Sequence, residues 1–436
     1  MTGHAEALAR TTLLLNREHF DGQAWEPAIA DGLLATTVRL HANQANLVTR
    51  AGQAALITAF GLVARMGIGV ELAIADVGVL DLVAPLRRPT LGDALIDLGS
   101  DLVPGTTVRT GHGDVDLTIA FGDTPCEEPA LRVFADELSC AILDGSQTVS
   151  PITADWPLGA FAGATAVAPI VLEAALPQIE AATGLRRTTK PRPSPGPPVR
   201  LDLRELFPGL PTRAGRAGRL DLVSGGAITN AVLYVLLRLP GLSATARVIE
   251  AQDVDLSNVS RYMLLRASHQ GIPKTRQLEA ASSMAIPITG VRELFTKETR
   301  HHLAPLAARV LVGVDDVEAR WWVQEEWPAW LCVAATQATI AESTTHRPNG
   351  PCAACLHADP LPAGETIPTI SFVSFWAGLL HTCELLSDLE REQPTRRVML
   401  WPFALGGPVR SHVTALRASN HCPIACRASR EIQSNR

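Results

Sequence analysis

Between residues 250 and 274, a chain otherwise rich in Ala, Leu and Val sets out Glu250, Gln252, Asn258, Arg261 and Lys274. A carboxylate at the end of an apolar strand can accept hydrogen bonds from sugar hydroxyls. Two cations close behind it can contact phosphates. Asp315 ends a later apolar run, "RVLVGVDD" (309–316), and offers a hard oxygen ligand of the kind magnesium takes. Two cations and a carboxylate converging on one crevice suit a triphosphate with its magnesium. Any one of these charges alone reads as a solvated loop residue, so the set carries the reading.

Such residues need a scaffold that ends its strands at one edge. "RLDLV" (219–223) reads as a buried strand, followed by the small turn Ser224-Gly225-Gly226-Ala227 and the apolar helix "ITNAVLYVLLRLPG". "TARVIE" is the next strand and ends at Glu250, which would reach ribose hydroxyls. The turn, with Gly225 and Gly226, would bring backbone N–H groups near phosphates, and the helix N-terminus adds a favourable field. Taken alone, the same turn fits a tight connection in a purely structural sheet. "RVLVGVDD" then runs into the helical "VEARWWVQEEW", and "AWLCVAAT" makes a further strand. Near-continuous apolar strands alternating with helices predict an α/β fold: a Rossmann-like parallel sheet with helices on both faces.

The first half repeats this plan without the polar residues. "ANLV" reads as a strand, "TRAGQ" as a turn, "AALITAFGLVARMG" as a helix and "VELAIAD" as a strand. "VDLTIAFGD" stands where "RVLVGVDD" does, and the small, apolar segments 157–176 and 369–386 correspond. After "VELAIAD" comes "VGVLDLVAPLRRP", with no counterpart of Asn258, Arg261 or Lys274. The pattern predicts an internal duplication whose first copy is chemically blank. The Pro-rich stretch "TTKPRPSPGPPVR" (188–200) forbids helix and reads as a spacer, dividing the chain into 1–187 and 201–436.

The run "VIEAQDVDLSNVSRYMLLRASHQGIPKTRQLEA" resembles the signature of the ThiF family. These ATP-dependent adenylyltransferases include activators of sulfur-carrier proteins, ubiquitin-activating enzymes and activators of microcin-type peptides. The family pattern runs from an acid through Ser-Asn and Arg to Gly-x-x-Lys. Here it falls on Glu250, Ser257-Asn258, Arg261 and Gly271-Ile272-Pro273-Lys274, then on Asp315 with Arg320 five residues on. The resemblance covers most of 219–430. It implies Glu250 at the ribose, Asn258, Arg261 and Lys274 at the phosphates, and Asp315 at Mg2+. It also implies ATP as cosubstrate and a small ubiquitin-like or sulfur-carrier protein, or a ribosomal peptide, as the partner whose C-terminal carboxylate is activated. Because family members work as dimers, it implies a fused pseudo-dimer or a homodimer. The chain departs from the family's glycine-rich turn at Ser224, Ala227 and Thr229, and has Glu250 and Gln252 where acids of other length or charge are usual. A Cβ at the turn narrows the approach to a phosphate, so a scaffold that binds a partner without turnover is the alternative. A nicotinamide-dependent oxidoreductase would account for Glu250 but gives Arg261, Lys274 and Asp315 no joint role.

Four of the eight cysteines come in two short pairs, Cys352–Cys355 and Cys422–Cys426. Two such knuckles suit a closed tetrahedral Zn2+ site, with unrelated free thiols as the alternative. The family carries two C-x-x-C pairs at these places; the second pair here has one extra residue. Cys126, Cys140, Cys332 and Cys383 sit singly in apolar segments and read as core, and the segment after Cys355, "LHADPLPAGETIPTIS", offers no thiol nucleophile. A net charge of −6 gives no electrostatic case for nucleic acid or an anionic membrane. With no evident signal peptide or membrane span, the expectation is a cytoplasmic protein.

Overall fold

The computed structural model describes residues 3–126, 130–189, 198–359, 368–402, 409–428 and 430. The first half opens with helices α1 (Ala9–Phe20) and α2 (Glu26–Ala35). It continues with β1 (Thr37–Ala42), α3 (Arg50–Arg65), β2 (Gly69–Ile74), β3 (Val108–Thr110), β4 (Leu117–Phe121), β5 (Ala130–Ala135) and β6 (Ser139–Asp144). Helix α4 (Leu158–Thr183) and strand β7 (Val199–Asp202) close it. The second half runs β8 (Arg216–Val223), α5 (Ala227–Leu236), β9 (Ser243–Ile249), α6 (Lys274–Ala280), β10 (Ile288–Val291) and β11 (Arg309–Val312). It ends with α7 (Val317–Glu325), β12 (Trp330–Gln337), β13 (Ile340–His346), α8 (Ser371–Glu390), β14 (Arg396–Trp401) and β15 (Arg410–Ala415).

The duplication is written in the sheet orders. The first sheet is β3-β2-β1-β4-β5-β6-β7 and the second β10-β9-β8-β11-β12-β13-β14-β15. In each, five strands run parallel and the strands after them run antiparallel. The topological switch point falls between β1 and β4 in one sheet and between β8 and β11 in the other, where open α/β sheets hold ligands. The segments 157–176 and 369–386 correspond as expected, becoming α4 and α8 between equivalent antiparallel strands.

Two expectations need correction. "ANLV" is not a strand: Gln44–Leu47 is one helical turn, capped by Asn43, whose side chain accepts from Asn46 N. The strand is the preceding "TVRLHA", and "TRAGQ" is the start of α3, where Thr49 Oγ1 accepts from Gly52 N at 3.1 Å. Two cap residues in succession favour helix starts over a strand. The division at 201 also moves. β7 pairs antiparallel with β6, Cys140 opposite Leu201, so the chain returns after the Pro-rich stretch to complete the first sheet. Residues 190–197 of that stretch lie outside the described residues.

One apolar core spans both halves. Phe161 of α4, Tyr234 of α5 and Phe375 of α8 pack with ring centroids 5.7–6.3 Å apart, in tilted and edge-on geometry. Thr58 Oγ1 meets the Tyr234 hydroxyl at 3.0 Å and Ser371 Oγ donates to Leu62 O at 3.1 Å, both across the two halves. Gly378 lets α8 press on α5: a Cβ there would lie 2.4 Å from Ala231 Cβ. Helix α4 is long and apolar enough to cross a membrane, but 78% of its apolar window is buried inside the protein, as in a core helix.

Candidate active site

The turn after β8 is tighter than a glycine-rich loop. Ser224 stands at φ 93, a conformation that favours glycine, and its Oγ accepts from Gly226 N at 2.9 Å. Gly225 N donates to Glu250 Oε2 at 2.9 Å, and Gln252 N donates to Glu250 Oε1 at 2.9 Å. Glu250, 5% exposed, therefore ties the turn to the end of β9, and each of its oxygens keeps a second lone pair. No side chain caps α5, and its first residues, Ala227 and Ile228, line the cavity described below. The orphan N–H groups of that helix start are the backbone donors left at the site.

The segment 251–274 is pinned at both ends. Gly271 N donates to Val254 O and Val254 N to Ile272 O, both at 2.8 Å, Gly271 at φ 77 making the reversal, and Lys274 N donates to Gln252 O at 3.0 Å. Lys274, 3% exposed, consequently meets Gln252, its Nζ donating to Oε1 at 2.7 Å. Its partner is a neutral amide, so the ammonium charge is not cancelled there. Asp255 and Asn258 form a reciprocal cap on the short helix Leu256–Val259, with Asn258 Oδ1 accepting from Asp255 N at 3.0 Å. The Asn258 NH2 group remains able to donate to a ligand. The Arg261 guanidinium lies 5.7 Å from the Tyr262 ring centre, and its Nε is buried without a hydrogen-bond partner among the described residues. Burial and then the nearby Arg10 cation hold its pKa below the usual value, while Tyr262, Asp315 and Asp255 oppose that shift.

The paired aspartates after β11 divide their work. Asp316 caps α7, accepting from Glu318 N at 2.8 Å and Ala319 N at 3.2 Å. Asp315 is exposed and accepts no hydrogen bond among the described residues. Arg320 braces the loop just before them, Nε and Nη2 donating to Val314 O at 3.1 and 2.8 Å.

Gly226, Glu250, Asn258, Arg261, Lys274 and Asp315 all line one cavity of about 360 Å³ at the carboxyl ends of the second sheet's strands. Gly225 stands behind it, its N–H spent on Glu250. Four cations, Arg10, Arg261, Lys274 and Arg320, face three carboxylates, of which Glu250 and Asp316 already hold backbone N–H groups. Phe295 and Trp322 give part of the wall an apolar surface. Sequence reasoning missed Arg10, which arrives from α1 in the other half, and Tyr262, whose ring lies under both Arg261 and Lys274.

At the equivalent edge of the first sheet a cavity of about 410 Å³ lies against the ends of β1, β2 and β3, but the acid that matches Asp315 is already engaged. Asp123 follows β4 as Asp315 follows β11, but it accepts from Asn43 Nδ2 at 3.0 Å and Asn46 Nδ2 at 2.9 Å. Asn46 is fully buried there, also reaching Thr124 Oγ1 at 3.2 Å.

Away from the cavity, the sulfurs of Cys352, Cys355, Cys422 and Cys426 lie within 4.8 Å of one another. Three separations are 3.7, 3.4 and 3.5 Å. Tetrahedral Zn–S bonds of about 2.3 Å place sulfurs about 3.8 Å apart, so the extra residue in the second knuckle does not spoil the fit. Hydrogen bonding from the Cys352 thiol draws the Cys355 thiol down to about 5, with backbone N–H groups adding to it. One zinc per chain is the expected result of metal analysis on protein purified under reducing conditions. A value well below one, with the fold intact, rules the metal out.

A sequence model of the family described as the BilD N-terminal domain matches residues 37–188, within the first half. The uncharacterized protein y4jF of Sinorhizobium fredii (strain NBRC 101917 / NGR234) is 26% identical over 175 residues, 39% of this chain and 33% of that protein. The chain thus spans about a third of that relative's length. Among solved structures, E. coli MccB with AMPCPP and SeMet MccA is similar at TM-score 0.41 and 16% identity, over 47% of this chain and 66% of that one. E. coli MccB with ATP matches at TM-score 0.39 and 17% identity, over 47% and 66%.

Proposed function

We propose that the chain is an ATP-dependent adenylyltransferase. Its substrate would be the C-terminal carboxylate of a small ubiquitin-like or sulfur-carrier protein, or of a ribosomal peptide, made into an acyl-adenylate. The observation that carries this reading is the convergence of Asn258, Arg261, Lys274 and Asp315 on one cavity beside the open start of α5. In the reaction, a carboxylate oxygen attacks the α-phosphorus of ATP, the bond to the bridging oxygen of the β-phosphate breaks, and pyrophosphate leaves. Arg261 and Lys274 would neutralise charge as it builds on the phosphates, Asn258 would donate to a phosphate oxygen, and Glu250 would meet the ribose. Positioning and electrostatics of this kind supply most of such a rate enhancement. Asp315 fits as the magnesium ligand, being a carboxylate at the cavity without a protein donor. Mg2+, when bound, supplies charge neutralisation on the leaving pyrophosphate. The four cysteines suit a structural zinc rather than a catalytic one, since a closed thiolate set leaves no open position. The fused halves would supply the pairing that dimeric relatives achieve with two chains.

The non-turnover scaffold keeps one observation in its favour: Ser224 occupies the Gly226 N–H that a phosphate could use. Isothermal titration with MgATP separates the two, and the adenylation reading expects one nucleotide per chain, since the first half's match to Asp315, Asp123, is held by Asn43 and Asn46. Incorporation of labelled pyrophosphate into ATP, dependent on an added candidate peptide or carrier protein, is the expected activity. No nucleotide binding would leave the scaffold, and two nucleotides per chain would overturn the assignment of a blank first half.

A further inference from the structure

Arg65 ends α3 in the first half, yet its guanidinium serves the second. It is fully buried. Its Nη1 donates to Val259 O at 2.5 Å, and its Nη2 to Met263 O at 3.0 Å and Leu265 O at 2.8 Å. No carboxylate hydrogen-bonds to it among the described residues, and its Nε has no partner there. Burying a cation without an anion is expensive, and such a group persists when its hydrogen bonds hold something that matters. The three carbonyls belong to the turn that carries Asn258, Arg261 and Tyr262 into the cavity. Burial, then the like charge of Arg266, lowers the Arg65 pKa to about 9.

Arg238 is its counterpart. It lies two residues past α5, the helix equivalent to α3. Its Nη2 crosses the other way, to Ala84 O at 2.8 Å and Val83 O at 3.4 Å, in the connection after β2. The two arginines thus exchange clamps across the pseudo-two-fold. Only one clamp reaches a segment with phosphate-directed side chains, because the first half's connection has none. The asymmetry supplies an internal control, a second buried arginine that crosses between the halves, although Arg238 also donates from Nη1 to Tyr234 O and stacks on the Tyr234 ring.

We propose that Arg65 is a positioning residue for the nucleotide cavity: the half without its own site holds the phosphate-contacting segment of the other in register by chelating three of its carbonyls. The inference rests on the adenylation reading for the identity of the ligand, but not for the clamp itself.

The test compares Arg65→Met, Arg65→Lys and Arg238→Met in the full chain, each checked for a monodisperse folded state. Two readouts are taken: hydrogen–deuterium exchange, and affinity for MgATP against adenosine. In Arg65→Met, exchange should rise in 256–265 and not around 83–86; Arg238→Met should do the reverse. MgATP affinity should fall about 30-fold in Arg65→Met while adenosine affinity changes by less than about threefold. A merely structural loss would weaken both ligands together. Arg65→Lys should recover part of the ATP preference, because a lysine keeps the charge but cannot span three acceptors in a fixed fork. Arg238→Met should keep the wild-type ratio. Equal effects of Arg65→Met and Arg238→Met on that ratio, or unchanged exchange in 256–265 of Arg65→Met, would overturn the proposal. If the wild type binds no ATP, the adenylation reading fails, and the clamp stands or falls on the exchange of 256–265 alone. Should Arg65→Met not fold, Arg65→Lys against Arg238→Met decides by the same two measurements.

Discussion

Asp315→Ala should lower ATP–pyrophosphate exchange by about a hundred- to a thousandfold, on the order of 3–4 kcal/mol, while leaving thermal stability unchanged. The expectation follows from how the two aspartates are used. Asp315 is exposed and accepts no hydrogen bond among the described residues, so removing its carboxylate breaks no structure. Its neighbour Asp316 holds two backbone N–H groups at the start of α7. Asp316→Ala should therefore cost about 1 kcal/mol of stability, with a much smaller effect on exchange. The crossed pattern is what identifies Asp315 as a metal ligand. Raising Mg2+ should partly restore Asp315→Asn and do nothing for Asp316→Ala. Near-wild-type exchange in Asp315→Ala would remove the magnesium role and, with it, the main support for phosphoryl chemistry at this cavity.

The parts of the site that were legible in the sequence share a property: each is fixed by its near neighbours along the chain. Val254 and Gly271 close a local reversal that delivers Lys274 to Gln252, and Asp255 and Asn258 cap one short helix. The apolar runs at 219–223 and 309–316 could be read as strands because a parallel sheet buries both faces. What escaped depends on distant contacts or on competing local signals. Arg10 enters the cavity from some 240 residues upstream, which no spacing encodes. The Ser224 conformation could not be anticipated, since its cost is met by hydrogen bonds its own turn makes, from Ser224 N to Ile249 O and from Gly226 N to Ser224 Oγ. "ANLV" looks like a strand by composition, but Asn43 and Thr49 each start a helix. The Pro-rich stretch looks like a boundary by composition, yet the chain returns as β7, because "VRLD" alternates buried Val199 and Leu201 with charged residues and can extend an antiparallel edge.

Separating the halves should be more damaging than any single substitution. A fragment from about residue 207 to 436 keeps the whole second sheet and every phosphate-directed side chain named here. It loses the surface that covers Tyr234 and Phe375, both fully buried in the intact chain and both against Phe161 of the first half. Each large apolar side chain returned to water costs about 1.5–3 kcal/mol, so these two alone take a large share of the stability of an ordinary domain. The fragment also loses Arg65 from beneath Val259, Met263 and Leu265, and Arg10 from the cavity wall. It should be aggregated or should bind a hydrophobic dye strongly, and it should not bind MgATP. Co-expression with residues 1–206 should restore solubility and nucleotide binding together, because the two pieces meet through a continuous apolar core rather than through the Pro-rich stretch. Size-exclusion chromatography with calorimetry on the reconstituted pair checks this. A monomeric second-half fragment that binds MgATP as tightly as the full chain would mean that the first half neither covers nor shapes the site.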